Sequence, residues 1–502
     1  MHNMYQSGGR RMANRLKEYG NQVLNNYINY RPTSSSVKPV HVANGLFRLV
    51  SGESYTVDAL NDWIIRWKQG KEVNPASQIR NKYKDAFDDS GFDDDEINML
   101  RFFLNIIFNA DNAAFPSANN TVLTISSKTQ VRGAVALESG LHSFLYRLLT
   151  TEVNGQLSPC LELINDFLEN ENDDLSRIAA PLTKFAIKKT HEQATNSDLP
   201  LLSGVEARLR LSFDQLAKNE LSSANKLLTL ERIILFGCFA IINHLSSRVL
   251  DLASEYSIND RVPILFDADG QLDSVKYASE ETLVVAKLLI EQFFEKGLEE
   301  ILSFEKYETF THEEMLARIN DLRLEESSRR TSNREEEEEK RKSYRALYLG
   351  YYEQLQDPFQ AFIKASRFKL FADEYDTDPS SFISTFGGRI ALLAPRAQGG
   401  KRKRYSPDPL ILEILLLTIL EPGRGITLSQ LGHELWDRYG IIFGANPEAD
   451  FERLTDWKVT QNTPGDLAGD LAKNAEKIAD TLISMGYGKH YADGVTVISL
   501  RR

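Results

Sequence analysis

With 502 residues, 42% of them apolar and 26% charged, the chain has the composition of an ordinary folded protein and length for three or four domains, which excludes a fibrous or disordered class. Its two cysteines, Cys160 and Cys238, sit far apart inside apolar helical patterns, which excludes a disulfide framework and a cysteine-ligated zinc site. The net charge of −12 belongs to residues 1–360, because residues 361–502 carry 18 basic and 18 acidic side chains, so the larger part of the chain is no polyanion-binding surface in bulk.

No apolar run of signal-peptide type follows the start of the sequence, and the longest greasy stretch, residues 233–242, is about half of a membrane span. A cytoplasmic chain without membrane contact is therefore expected. Residues 1–195 read as a first helical domain. Val57, Leu60, Trp63, Ile64 and Trp67 fall at helical spacing over residues 54–68. Asp93, Asp94, Asp95 and Glu96 form an acidic first turn ahead of Ile97, Leu100, Phe103, Leu104 and Ile107, which suits a helix dipole better than a metal site. A short hairpin is expected between residues 114 and 135, where Thr, Val, Ser and Asn replace the helical pattern.

Residues 196–386 read as a second helical domain, with its strongest periodicity over 205–221 and 223–256. His244 ends an apolar run and has no companion at ligand spacing, so it reads as a core histidine. Asp267, Asp269 and Gly270 are similar to the opening of a calcium loop, but Val275 and Lys276 stand where the closing glutamate belongs. A turn is expected instead, before a helix over 279–296 capped by Ser279 with Glu280 and Glu281 in its first turn. Within residues 321–342, Arg334, Glu335 to Glu339, Lys340, Arg341 and Lys342 suit a solvated helix or a linker.

Residues 387–408 read as a basic Gly/Pro linker. Gly399 and Gly400 lead into Lys401, Arg402, Lys403 and Arg404, a run able to lie along phosphates and release counterions. A compact apolar helix follows from Leu410 to Leu420. A second is capped by Thr427 and stopped by Gly440, a long loop covers 441–465, and a third helix runs from Asp466 to Met485. Two strands then flank Ala492, Asp493 and Gly494, a hairpin signal.

This order resembles the winged-helix superfamily over residues 409–502. The resemblance implies a third helix that enters a major groove and a wing on the adjacent backbone. It makes Lys473, Asn474 and Lys477 of the third helix, and Lys489, His490, Arg501 and Arg502 of the wing, candidate contacts to double-stranded DNA beside Lys401, Arg402, Lys403 and Arg404. Asp470, Glu476 and Asp480 leave that helix nearly neutral, which suits a protein-binding winged helix as well. No phosphate loop, dinucleotide fingerprint, nucleophile elbow or zinc-protease motif occurs, and no cofactor or metal is implied. The expected protein is mainly α: a non-catalytic adaptor or scaffold of a DNA-associated complex. Its layout resembles that of accessory subunits of prokaryotic DNA-maintenance or anti-phage defence systems, which work beside an ATPase or nuclease. The alternatives are a purely protein-binding assembly subunit and a metal-dependent nuclease built from dispersed carboxylates.

Overall fold

The computed structural model describes residues 15–35, 37–52, 54–56, 67–82, 93–108, 139–169, 187–189, 204–251, 261–321, 331–396, 402–462, 466–492 and 494–500. The chain is mainly helical and divides into two compact units, each assembled from separated stretches. The expected hairpin at 114–135 lies outside the described residues, as do Lys401, Arg501 and Arg502.

The first unit contains residues 1–35, 245–260 and 286–382. Within it, α1 (Arg15–Tyr27) buries Leu16, Tyr19, Val23 and Leu24. Tyr19 Oη donates to Glu305 at 2.5 Å. Three further helices, α10 (His312–Asp321), α11 (Thr331–Leu355) and α12 (Pro358–Lys369), bury Met315, Ile319, Tyr344, Tyr348 and Phe362. Helix α12 starts where it does because Asp357 accepts from the amides of Phe359 (2.9 Å) and Gln360 (3.1 Å) while Pro358 takes the first turn, where no amide is needed. Arg367 pairs with Glu291 and Glu295, both at 3.1 Å. The acidic and basic run at 334–342 falls within α11 and is therefore helical.

The second unit contains residues 36–244, 261–285 and 383–502. Helices α2 (Pro39–Ser51), α5 (Leu141–Thr150), α6 (Pro159–Glu169), α7 (Val205–Glu220) and α8 (Lys226–Ser247, to His244) build its bundle, with α3 (Ala76–Lys82) and α4 (Asp94–Phe108) earlier in the chain. Strand β1 (Ser54–Thr56) pairs antiparallel with β4 (Ile187–Lys189). Strands β2 (Trp67–Lys68) and β3 (Lys71–Glu72) make a hairpin. Both ends of the stretch expected to be helical over 54–68 are thus extended. The hairpin turn explains part of this, since Gln69 and Gly70 have φ of 54° and 75°, the left-handed pair that a two-residue turn needs. By length and composition α8 could cross a membrane, yet 83% of its most apolar window is buried inside the molecule.

Arg210, 1% exposed, ties the bundle together. Its guanidinium donates to the carbonyls of Leu148 (3.2 Å), Thr151 and Gln156 (3.2 Å) and pairs with Asp214 at 3.0 Å, so helix-end carbonyls and a carboxylate meet the buried charge.

The last hundred residues run α14 (Pro409–Leu417), β8 (Ile426–Thr427), α15 (Leu428–Tyr439), β9 (Ile441–Ile442), α16 (Pro447–Asp456), α17 (Leu467–Ser484), β10 (Gly488–His490) and β11 (Thr496–Ile498). The expected caps are present. Thr427 accepts from Gln430 N at 3.2 Å while the Gln430 side chain accepts from Thr427 N at 2.9 Å. Gly440 ends α15 with φ of 75°, and a Cβ there would strike the carbonyl of Val262. The stretch expected as a loop over 441–465 instead holds β9 and α16, because Pro447 fits the first turn and Glu448 and Asp450 its positive end. Strands β10, β11 and β8 form one antiparallel sheet in that order.

These residues are fastened to the bundle by side chains that reach helix-end carbonyls. Asn219 donates to Leu417 O (2.7 Å) and Leu420 O (2.9 Å), Gln215 to Leu420 O (2.9 Å), and Asn243 to Tyr439 O (2.8 Å). Strand β5 (Ile264–Leu265) pairs in parallel with β9, and α9 (Asp273–Phe304) sends Val275 and Ala278 into a core with Leu265, Ile442, Leu454, Val459, Leu467 and Leu471. Helix α9 begins at Asp273, six residues before the expected start. Ser279 is buried inside it, donating to Leu265 O at 2.7 Å and accepting from Tyr405 N at 2.9 Å, so it joins strands rather than capping a helix.

The stretch read as a basic linker is built into the same unit wherever it is described. Gly387, Gly388 and Arg389 end α13 (Pro379–Arg389), and β6 (Leu393–Ala394) pairs antiparallel with β7 (Arg404–Tyr405). Tyr405 is fully buried, and its carbonyl accepts from Asp267 N at 2.8 Å.

Candidate nucleic-acid interface

Arg402, Lys403 and Arg404, and Lys473, Asn474 and Lys477, are two separate groups in the sequence, and the structure brings Arg404 of the first and Asn474 and Lys477 of the second around one short segment, residues 264–274. Asp267 organises that segment. One of its oxygens accepts from the amides of Gly270 (2.8 Å) and Asp269 (3.3 Å), folding an Asx turn, and the other accepts from Arg404 Nε at 2.5 Å. Gly270 has φ of 73°, and any Cβ there would collide with the Arg404 guanidinium. Lys403 lies over Gly388, and Arg402 pairs with Glu281 at 3.3 Å.

Helix α17 meets the same turn. Asn474 is 1% exposed; its amide nitrogen donates to Phe266 O (2.8 Å) and Phe443 O (3.0 Å), and its oxygen accepts from Ala268 N (2.9 Å). In this arrangement Asn474 closes the backbone of two strand ends and cannot reach a base edge. Lys477 pairs with Asp269 at 2.8 Å and Lys473 with Asp470 at 2.8 Å, while Ser274 donates to Asp470 at 2.6 Å. The exposed acids of α17 and its cap are Asp466, Glu476 and Asp480, so its outward face carries an excess of negative charge.

Burial raises the Asp269 carboxyl, but the Lys477 ammonium, the Gln271 amide and Arg404 outweigh it and hold the group below the ordinary aspartate range. Lys473 and Ser274 lower Asp470 in the same way. A carboxyl depressed in the folded state adds stability that is complete above its unfolded pKa and is lost as pH falls through the folded value. Both ion pairs are therefore intact at neutral pH. A carboxyl-carbon NMR titration is expected to place both midpoints below the ordinary aspartate range; midpoints within or above that range would contradict the pairing.

The hairpin presents a different surface. Lys489, His490 and Tyr491 are exposed, with Lys489 Nζ 5.1 Å from the Tyr491 ring centre and His490 Nδ1 3.1 Å from Thr496 Oγ1. Tyr491 and Val495 face each other across the turn, joined by Tyr491 N to Val495 O at 3.0 Å.

No family model, curated protein or solved structure matches the chain.

Among the described residues no group of three or more His, Cys, Asp or Glu side chains could hold a metal ion. Asp267, Asp269 and Glu281, which the sequence places in a turn and a helix start, are also the partners of these cations, and that pairing is what sequence reasoning missed. The three carboxylates lie between 121 and 208 positions from their cations, and no local spacing links charges so far apart.

Proposed function

We propose that the chain is a non-catalytic adaptor of a DNA-associated assembly, whose helical units bind protein partners and whose last hundred residues act as a winged helix that meets the duplex through its wing. The reading is supported by one arrangement: a helix, strand, helix, strand, helix, helix and hairpin order with a three-stranded sheet of β10, β11 and β8, in which Lys489 and His490 are exposed on the outer strand and Tyr491 is exposed just after it. Two cationic or hydrogen-bonding side chains beside an exposed aromatic ring suit a sugar-phosphate backbone, where such groups position a protein without reading sequence. Helix α17, expected as the third helix and the fourth of the module in the structure, takes no part in this reading, since Asn474 is buried and Lys473 and Lys477 are held by carboxylates. The basic stretch at 402–404 is likewise engaged.

A purely protein-binding module is the second reading, favoured by the acidic outward face of α17. Duplex binding by fluorescence anisotropy separates the two. Replacing Lys489 and His490 by alanine is expected to weaken binding several-fold across unrelated sequences. It should also flatten the plot of log affinity against log salt by about 0.9 for each phosphate that is no longer neutralised. Unchanged affinity in K489A/H490A, or wild-type protein that binds no duplex at low salt, would give the protein-binding reading first place.

A further inference from the structure

Resting on the reading that this module meets a polyanion, we infer that Arg402, Lys473 and Lys477 form a second phosphate-binding face that the chain keeps occupied with its own carboxylates. The three cations come from two distant stretches: Lys477 pairs with Asp269 of the turn, Lys473 with the Asp470 that Ser274 holds, and Arg402, two residues before Arg404, with Glu281 farther along α9. Each is matched one to one, by Glu281 at 3.3 Å, Asp470 at 2.8 Å and Asp269 at 2.8 Å.

The pairs differ in kind from the neighbouring Arg404–Asp267 pair. Asp267 is 1% exposed and holds the turn, so that pair is part of the fold. The side chains of Arg402 and Lys473 are 67% and 63% exposed and Lys477 is partly open, so solvent and a large anion can reach all three. Two of the carboxylates are the fixed members of their pairs. Asp269 also accepts from the Gln271 amide at 3.0 Å and Asp470 from Ser274 Oγ at 2.6 Å, whereas each lysine is tethered only by its own flexible stem. Duplex phosphates therefore compete with anions already in position. The three cations contribute little to counterion release until those anions are neutralised.

Isosteric neutralisation tests this. E281Q/D269N/D470N leaves the cations in place without their paired carboxylates, Asp466 near Lys473 and Glu280 near Arg402 being retained. It is expected to bind a short DNA duplex at least tenfold more tightly than wild type at low salt, with a salt slope steeper by up to about 2.7, at 0.9 for each of three phosphates. D269N alone, the milder change, should steepen the slope by about 0.9. E448Q/E452Q/D456N removes three exposed charges from α16, away from these pairs. An equal gain there would mean that net charge alone acts, and would overturn the inference. Adding R402A/K473A/K477A to the neutralised protein should return the slope to the wild-type value; a slope that stays steep overturns it as well. Failure of the wing reading is separately visible. If K489A/H490A weakens wild-type binding while neutralisation gains nothing, the self-occupied face is rejected and the wing stands. If K489A/H490A moves nothing while neutralisation gains affinity, the wing reading is rejected and this face stands.

Discussion

Residues 409–502 produced alone are expected to remain unfolded or to aggregate, and to fold when residues 261–285 and 383–408 are supplied with them. The core around Leu454, Leu467 and Leu471 is completed by Leu265, Val275 and Ala278, which lie outside the fragment. Each of the two larger side chains removes apolar area from water worth about 1.5–3 kcal/mol. Strand β9 would lose its partner β5, and Asn474 two of its three hydrogen bonds, at about 1–3 kcal/mol for each buried polar group left unpaired. Against a total stability of roughly 5–15 kcal/mol for a small domain, these losses suffice to unfold the piece. A dispersed amide NMR spectrum and a cooperative melt from residues 409–502 alone would show the module to be independent.

The largest single-residue effect is expected at Arg404. Asp267 is buried, so R404A leaves a carboxylate with its two turn amides but no counter-charge, a change that typically costs about 3–5 kcal/mol. Urea denaturation of the intact protein should show it. D267N added to R404A should recover part of the loss, because the charge that needed Arg404 is gone. The simultaneous replacement of Lys401 to Arg404 by alanine is therefore a stability variant before it is a binding variant. A loss of binding there carries no information about phosphate recognition until its fold is verified. R404A within about 0.5 kcal/mol of wild type, the range of an ordinary surface substitution, would contradict this role.

What the sequence made legible is local. The Thr427 and Gln430 cap, the stop at Gly440 and the hairpin around residues 492–494 all depend on groups within a few positions of one another, and the structure has all three. Helix α16 reads as loop because of the glycines and prolines around it, although Pro447 followed by Glu448 and Asp450 suits a first helical turn. The candidate interface was far less legible. Lys473, Asn474 and Lys477 share a polar side of α17, and polarity alone does not say whether a side chain meets solvent or a strand end. Asn474 is buried because the carbonyls of Phe266 and Phe443 arrive there, one of them 208 positions earlier in the chain. The run at 399–404 looked like a tether because its glycines and cations suit one, while nothing near it in the sequence points to Asp267, 137 positions away, or to the burial of the Tyr405 ring.

The parallel pairing of β5 with β9 has a consequence for the newly made chain. Ile264 and Leu265 cannot join their partners until Ile441 and Ile442 have left the ribosome. The neighbouring bond from Arg261 to the carbonyl of Asp437 spans 176 residues. At about 5–20 residues per second, the stretch around Ile264 waits roughly 9–35 s with Val262, Ile264, Leu265 and Phe266 uncovered. Four apolar residues in five left open for that long are transiently exposed apolar surface of the kind that promotes aggregation. A slower ribosome would lengthen the exposure, so the yield of folded protein should depend on elongation rate over residues 266–442.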